Sequence, residues 1–221
     1  MAPLIVKPVE DPRRPSPVVV GVDLGQQNDY TAICILEVEA GESENLYNLR
    51  MIERLPLDTK YTEVVERVKA IFASPQMIRP KTLVLDNTGV GRAVFDMFVK
   101  AEMDPVGITI TGGQEVNQTG REYRVPKRDL VMTLKVVYQN RRLRVAKDIR
   151  EAETFVHELQ SFRIKVSLGG HDSYEAWREQ DHDDLVLAVA IAAWYGERVL
   201  GFADPATTAA IDLLTHGRFY G

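Results

Sequence analysis

The stretch Val18-Val19-Val20-Gly21-Val22-Asp23-Leu24-Gly25-Gln26 constrains this chain more than any other. Branched side chains are stiff in a helix but pack well on a pleated surface. A near-continuous run of them reads as a central strand covered on both faces, the situation of a strand inside an α/β sheet. The one charged residue of the run, Asp23, falls where that strand emerges. Open α/β sheets bind their ligands in the crevice at the carboxyl ends of their strands, so what else reaches that edge becomes the main question.

Turn chemistry and periodicity lay out the rest. The loop Gly25–Asp29 has turn composition, Thr31–Val38 reads as a second strand, Gly41–Asn45 as a polar turn and Leu46–Arg54 as a third strand, an antiparallel meander. Tyr61–Phe72 carries Val64, Val65, Val68, Ile71 and Phe72 at helical spacing and stops before Pro75 and Pro80. Thr82–Asp86 is a short buried strand that again finishes on an aspartate. A strand reached through a helical crossover lies parallel to its neighbour, so Asp23 and Asp86 are expected to point the same way. Further on, the pattern predicts a helix over Arg92–Ala101, a strand over Val106–Thr111 and a hairpin or loop over Gly112–Arg124. Helices follow from Pro126 to Gln139 and over Ile149–Leu159, then an alternating strand Phe162–Ser167 with a return at Tyr174–Trp177. Last comes Asp181-His182-Asp183-Asp184 ahead of Leu185–Tyr195, a helix apolar nearly all round and therefore buried.

This is the pattern of one α/β domain with a mixed sheet, three strands in an antiparallel meander and others parallel, flanked by helices. Residues 1–17, rich in proline and charge, read as a linker or arm; 18–200 as the folded domain; 201–221 as a peripheral tail. The one cysteine, Cys34, lies in the apolar run Ala32–Leu36 and reads as a buried small hydrophobe, which excludes a disulfide framework. There is no bilayer-spanning run and no signal-peptide core, so a cytoplasmic protein with no membrane partner is expected. No phosphate-loop or dinucleotide fingerprint is present, which leaves the glycines Gly89 and Gly91 as a turn. Charge is uneven. Residues 121–147 hold nine Lys and Arg against Glu122 and Asp129, a balance of +7 in a chain of −5, leaving −12 elsewhere. Such a stripe is either a polyanion-binding face or a solvated helix face.

Four aspartates have a geometric reason to meet: Asp23 and Asp86 at strand ends, Asp183 or Asp184 at the start of the buried helix, and Asp29 in the first loop. Each also has a plain structural reading. Asp183 and Asp184 could cap the helix, Asp29 could be a turn residue, and a strand-end acid could be solvated. His182 reads as a packing or hydrogen-bonding residue near them. Clustered carboxylates otherwise need a cation, and hard divalent ions take oxygen ligands. Two such ions form a clamp for phosphodiester displacement.

Read together, GVDLGQQNDYTA at 21–32, LVLDNTGVG at 83–91 and DHDDLVLAVAIAAW at 181–194 resemble the nuclease domain of the large terminase subunit of tailed bacteriophages, a ribonuclease H-like domain. The resemblance covers about residues 18–198, with the motifs in the same order. It implies that Asp23, Asp86 and Asp184 are metal ligands, with Asp183 an adjacent contributor and Asp29 an auxiliary acid near a second ion. It further implies Mg²⁺- or Mn²⁺-dependent cutting of double-stranded DNA during genome packaging, with a packaging ATPase, portal and small terminase subunit as partners in an infected bacterial cell. The family's hairpin beside the active site matches Gly112–Arg124, and Lys127 falls where a basic residue commonly follows it. Arg121, Arg124, Lys127 and Arg128 are the expected DNA contacts. The packaging ATPase's phosphate loop is missing, so the chain is expected to be an isolated nuclease domain, monomeric and without translocation activity. Two other readings stay open: a non-catalytic DNA-binding or packaging adaptor, and an actin-like phosphotransferase, which needs two duplicated domains to enclose ATP.

Overall fold

The computed structural model describes residues 16–25, 29–41, 43–89, 91–168 and 183–201, with the backbone alone over 161–168. Its strands are β1 (Val18–Asp23), β2 (Ala32–Ala40), β3 (Asn45–Arg54), β4 (Lys81–Asp86), β5 (Val106–Thr111), β6 (Asn117–Thr119), β7 (Glu122–Pro126) and β8 (Leu143–Val145). They form a mixed sheet in the order β6-β7-β5-β4-β1-β2-β3-β8. β1, β2 and β3 make the expected antiparallel meander, while β4 runs parallel to β1, β5 to β4, and β7 to β5. β6 closes a hairpin on β7, and β8 adds in parallel outside β3. Helices α1 (Tyr61–Phe72) and α2 (Gly91–Lys100) pack on one face. On the other lie α3 (Lys127–Gln139), α4 (Ala152–Leu168) and α5 (Asp184–Tyr195), the last continuing into a π-helical turn at Gly196–Leu200.

β1 shows why the valine run matters. Val18, Val20 and Val22 pack with Val64, Val68 and Leu83 on the α1 side, while Val19 belongs to the α5 layer, so every residue of the strand is buried. Burying one such aliphatic side chain stabilises by roughly 1.5–3 kcal/mol relative to exposure, which holds the end of β1 rigidly between two apolar layers. Gly21 has a separate role. A Cβ there would stand 2.3 Å from the Ala188 carbonyl oxygen and 3.0 Å from Ala192 Cβ, so the small residues of α5 bring its backbone almost onto the strand. Cys34 is buried as expected, and its thiol donates to the Ala188 carbonyl at 3.3 Å. Burial pushes that thiol up to about 12, outweighing the backbone hydrogen bond that lowers it, so it is no nucleophile.

One expected element is different. Phe162–Ser167 is not a strand but part of α4, which runs to Leu168. No glycine or proline interrupts residues 152–168, and once a helix is nucleated each further residue adds a hydrogen bond without a new nucleation cost. A six-residue alternation does not outweigh that. β8 is an additional strand of three residues. The return at Tyr174–Trp177, His182, residues 1–15 of the proposed arm and the tail from 202 lie outside the described residues. Among the described residues no helix is long and apolar enough to cross a membrane.

Candidate active site

Register decides which side chains meet, because directly paired residues in neighbouring strands project to the same face. Asp23 pairs with Ala32, and Ala32 with Arg54. On the other flank Val22 pairs with Leu85, so the next step sets Asp23 beside Asp86. Asp86, Asp23, Ala32 and Arg54 therefore form one row across four strands, with neighbouring backbones roughly 4.8 Å apart. Ala32, Val19 and Val84 belong to the layer under α5, and by alternation along each strand so do the side chains of Asp23 and Asp86.

Asp184 reaches this row from the first turn of α5, where the helix dipole favours a negative charge. Its Oδ2 lies 3.3 Å from Arg54 Nη2, an ion pair that fixes the start of α5 at the carboxyl edge of β1, β3 and β4. Asp23, Asp86 and Asp184 are 8%, 5% and 6% exposed, so none of them is a solvated loop acid. The Thr88 N–H donates to Asp86 Oδ1 at 2.8 Å, and the Thr88 hydroxyl in turn accepts from Ile110 N–H at 2.9 Å, which sets the orientation of that carboxylate. α2 begins so close behind it that a Cβ at Gly91 would stand 2.4 Å from the Asp86 carbonyl oxygen.

Asp183 occupies the N-cap position and is half-buried, yet its side chain makes no capping hydrogen bond; only its carbonyl serves the helix, accepting from Leu187 N–H at 2.9 Å. Capping therefore does not account for it. Asp29 is exposed, on the loop leading into β2, apart from the buried trio. Two residues absent from the sequence expectations belong to the site. Arg54, the last residue of β3, pairs with Glu158 of α4 as well as with Asp184, and its guanidinium lies 4.8 Å from the centre of the Tyr30 ring. Glu158 is 9% exposed. Burial pushes its carboxyl up to about 7; Arg54 pulls against that rise, and the charges of Asp184 and Asp183 add to it. The antiparallel meander carried a signal for Arg54, since it sets the end of β3 level with Asp23.

The donor set is one of buried carboxylates, the hard oxygen ligands that suit Mg²⁺ or Mn²⁺. Glu158 Oε2 is also buried and, among the described residues, makes no hydrogen bond. The residues thus fit a divalent ion in chemistry. In placement, among the described residues no three Asp, Glu, His or Cys side chains stand close enough to hold an ion together; Asp184, for one, is engaged by Arg54.

The expected DNA contacts are separated by the fold. β7 runs parallel to β5 with Pro126 opposite Thr111, so Lys127 and Arg128 emerge at the carboxyl edge that carries the aspartates. Arg121 lies at the other end of β7, six residues and roughly 20 Å of extended strand away, where it pairs with Asp104. Arg124 is exposed and pairs in register with Thr109. Since Tyr123 and Val125 pack into the α5 layer, Arg124 projects from the opposite face. Arg142 leaves the basic stripe altogether, being 5% exposed and closed onto Glu197.

Comparison with known proteins bears on the family and the fold. The family model of the terminase RNaseH-like domain matches residues 20–193. The large terminase subunits of Thermus phage G20c and Thermus virus P23-45 are each 26% identical over 184 residues, 83% of this chain but 33% of theirs. The chain thus spans about a third of the length of these relatives. The crystal structure of the large terminase nuclease from thermophilic phage G20c superposes with a TM-score of 0.52 at 17% identity, covering 82% of both chains. A human cytomegalovirus terminase nuclease domain, Mn soaked, gives 0.51 at 8% identity over 84% of this chain and 85% of that one. At these identities the structural likeness establishes the shared ribonuclease H-like fold.

Proposed function

The chain belongs to the family of terminase RNaseH-like domains, and from that premise we propose that it is a divalent-metal-dependent endonuclease acting on double-stranded DNA, the nuclease part of a viral genome-packaging terminase. The observation that carries the reading is the row that sets Asp23 beside Asp86, with Asp184 drawn to the same edge by Arg54. Asp23, Asp86 and Asp184 would hold Mg²⁺ or Mn²⁺, with Asp183 adjacent and Asp29 as an outlying acid. Two such ions would supply an activated water as nucleophile and stabilise the leaving oxygen of the phosphodiester. The protein's own share is preorganisation: Thr88 fixes the Asp86 carboxylate, α5 presents Asp184, and the buried floor keeps bulk water away. Lys127 and Arg128 at the same edge would hold the phosphate backbone close to the acids, contacts that position DNA without reading sequence, whereas Arg124 faces the opposite side of the sheet and Arg121 is paired with Asp104 at the far end of β7. As part of a terminase the domain would work in the cytoplasm of an infected bacterium, alongside a packaging ATPase, a portal and a small terminase subunit.

The test is incubation with supercoiled plasmid in EDTA, Mg²⁺ or Mn²⁺, with Asp23→Asn and Asp184→Asn alongside. Nicking and linearisation are expected only with metal, lost in both variants while DNA binding persists. Undiminished cutting by either variant would overturn the assignment of that residue. Failure of the folded wild type to cut under any condition would overturn nuclease activity of the chain by itself.

A further inference from the structure

Arg54 is shared between two acids that arrive on different helices. Its Nη2 donates to Glu158 Oε1 of α4, and the same nitrogen stands 3.3 Å from Asp184 Oδ2 of α5. The arrangement is incomplete in one specific respect. Arg54 Nε and Glu158 Oε2 are both buried, and among the described residues neither makes a hydrogen bond. Those are the two atoms that a guanidinium and a carboxylate bring together when they close side-on with two parallel hydrogen bonds, the stronger and more directional form of the pair. The protein therefore holds Arg54 in a divided position and provides a second, undivided one on Glu158. Moving to it would satisfy both orphaned atoms and release Asp184.

We propose that Arg54 is a positioning residue that competes with the divalent ion for Asp184, and that Glu158 is the alternative seat which lets Arg54 withdraw when the ion binds. This rests on the ion site proposed above. A cation against Asp184 opposes a second cation there by direct repulsion, and at 16% exposure the Arg54 side chain is poorly screened by solvent. Ion binding and the Arg54 position are then linked: whatever holds Arg54 on Asp184 weakens the ion, and whatever draws it to Glu158 strengthens it.

The test is the affinity of the full chain for Mn²⁺ alone, measured by titration calorimetry at about pH 8, where carboxylates are charged. Arg54→Gln removes the competitor and is expected to bind Mn²⁺ about tenfold tighter than wild type. Glu158→Gln removes the alternative seat, leaves Arg54 on Asp184, and is expected to bind about tenfold more weakly. The double variant separates a seat from a mere charge: if Glu158 acts through Arg54, the double variant matches Arg54→Gln. If Glu158 acts only by its field, its replacement weakens binding equally in both backgrounds, and the proposal is overturned. Should Arg54→Gln not fold with Glu158 left unpaired, the double variant is compared with Glu158→Gln, and tighter binding by the double variant is the supporting result. Mn²⁺ binding that is lost in Asp86→Asn yet indifferent to Arg54 overturns this inference and leaves the ion site standing. Absence of binding in both wild type and Arg54→Gln overturns both.

Discussion

Arg142 closes on the Glu197 carboxylate with two hydrogen bonds, 2.7 Å and 3.0 Å long, while the Tyr47 hydroxyl donates to the same group at 2.6 Å. Arg142 also donates to the Asn45 carbonyl at 3.0 Å, so one guanidinium joins the start of β3, the approach to β8 and the turn after α5. Burial alone would raise the Glu197 carboxyl, but the hydrogen bonds from Arg142 and Tyr47 and the charge of Arg142 outweigh it and hold the group below its usual range. The Tyr47 phenol is pushed well above its usual range, first by burial and then by Glu197. A carboxylate whose folded pKa is depressed stabilises the fold above its unfolded pKa, and that stability is lost as pH falls through the folded value. The thermal midpoint is therefore expected to fall as pH drops below about 4.5. Glu197→Gln should cost about 1–3 kcal/mol at neutral pH and flatten part of the acid dependence. Thermal unfolding of both proteins at neutral and acid pH checks this, and a variant as stable as wild type at neutral pH would exclude the role. The same scale shows what local pattern conceals. Asp23, Asp86 and Asp184 could be found because strand ends and helix starts announce themselves in the sequence. Glu158 could not be found in that way, since its meeting with Arg54 depends on how α4 lies against α5, and Arg54, though it ends a strand level with Asp23, carries the wrong charge to stand out among the acids.

At the scale of elements, the contact that positions the site is α5 on β1. Gly21 is two residues before Asp23, and Ala188 is one turn after Asp184, so the backbone approach at Gly21 sets the separation of those two acids. Gly21→Val would drive a branched side chain into the Ala188 carbonyl and should destabilise the fold by roughly 3 kcal/mol. Urea unfolding would show a lowered midpoint at unchanged slope; a midpoint within error of wild type would mean that α5 can shift freely. Most of the elements, and the meander within the sheet, follow from features that are local and strong. The valine run, the proline stops after α1 and the all-apolar α5 left little choice of element. β8 was illegible because three half-buried residues carry no period; it exists through pairing with β3, introduced by the Tyr47 N–H bond to the Arg142 carbonyl at 2.8 Å. Phe162–Ser167 misleads for the converse reason, a short alternation embedded in a segment whose neighbours are already helical.

At the scale of the whole molecule, the +7 segment is divided between the two ends of the sheet. Lys127 and Arg128 follow β7, whereas Arg144 is in β8, six strand steps and roughly 30 Å away. Arg144 lies 3.4 Å from Glu39, Arg142 is closed onto Glu197, and Arg121 is paired with Asp104. Arg128 is exposed; its Nη2 donates to the Gln114 carbonyl at 2.8 Å, which holds the guanidinium against the hairpin loop. Segment charge therefore overstates the binding face, and most of the attraction for DNA should come from the β7 end, beside the acids. On the proposed function, each phosphate contact removed should lower the slope of log K against log salt by about one. Lys127→Ala and Arg128→Ala should each do so, weakening binding about equally for unrelated sequences. Arg144→Ala should leave the slope unchanged. Titrating each variant with a fluorescent duplex at several salt concentrations reads this directly. A slope lost with Arg144 and kept without Lys127 or Arg128 would overturn the placement of the duplex at the β7 end.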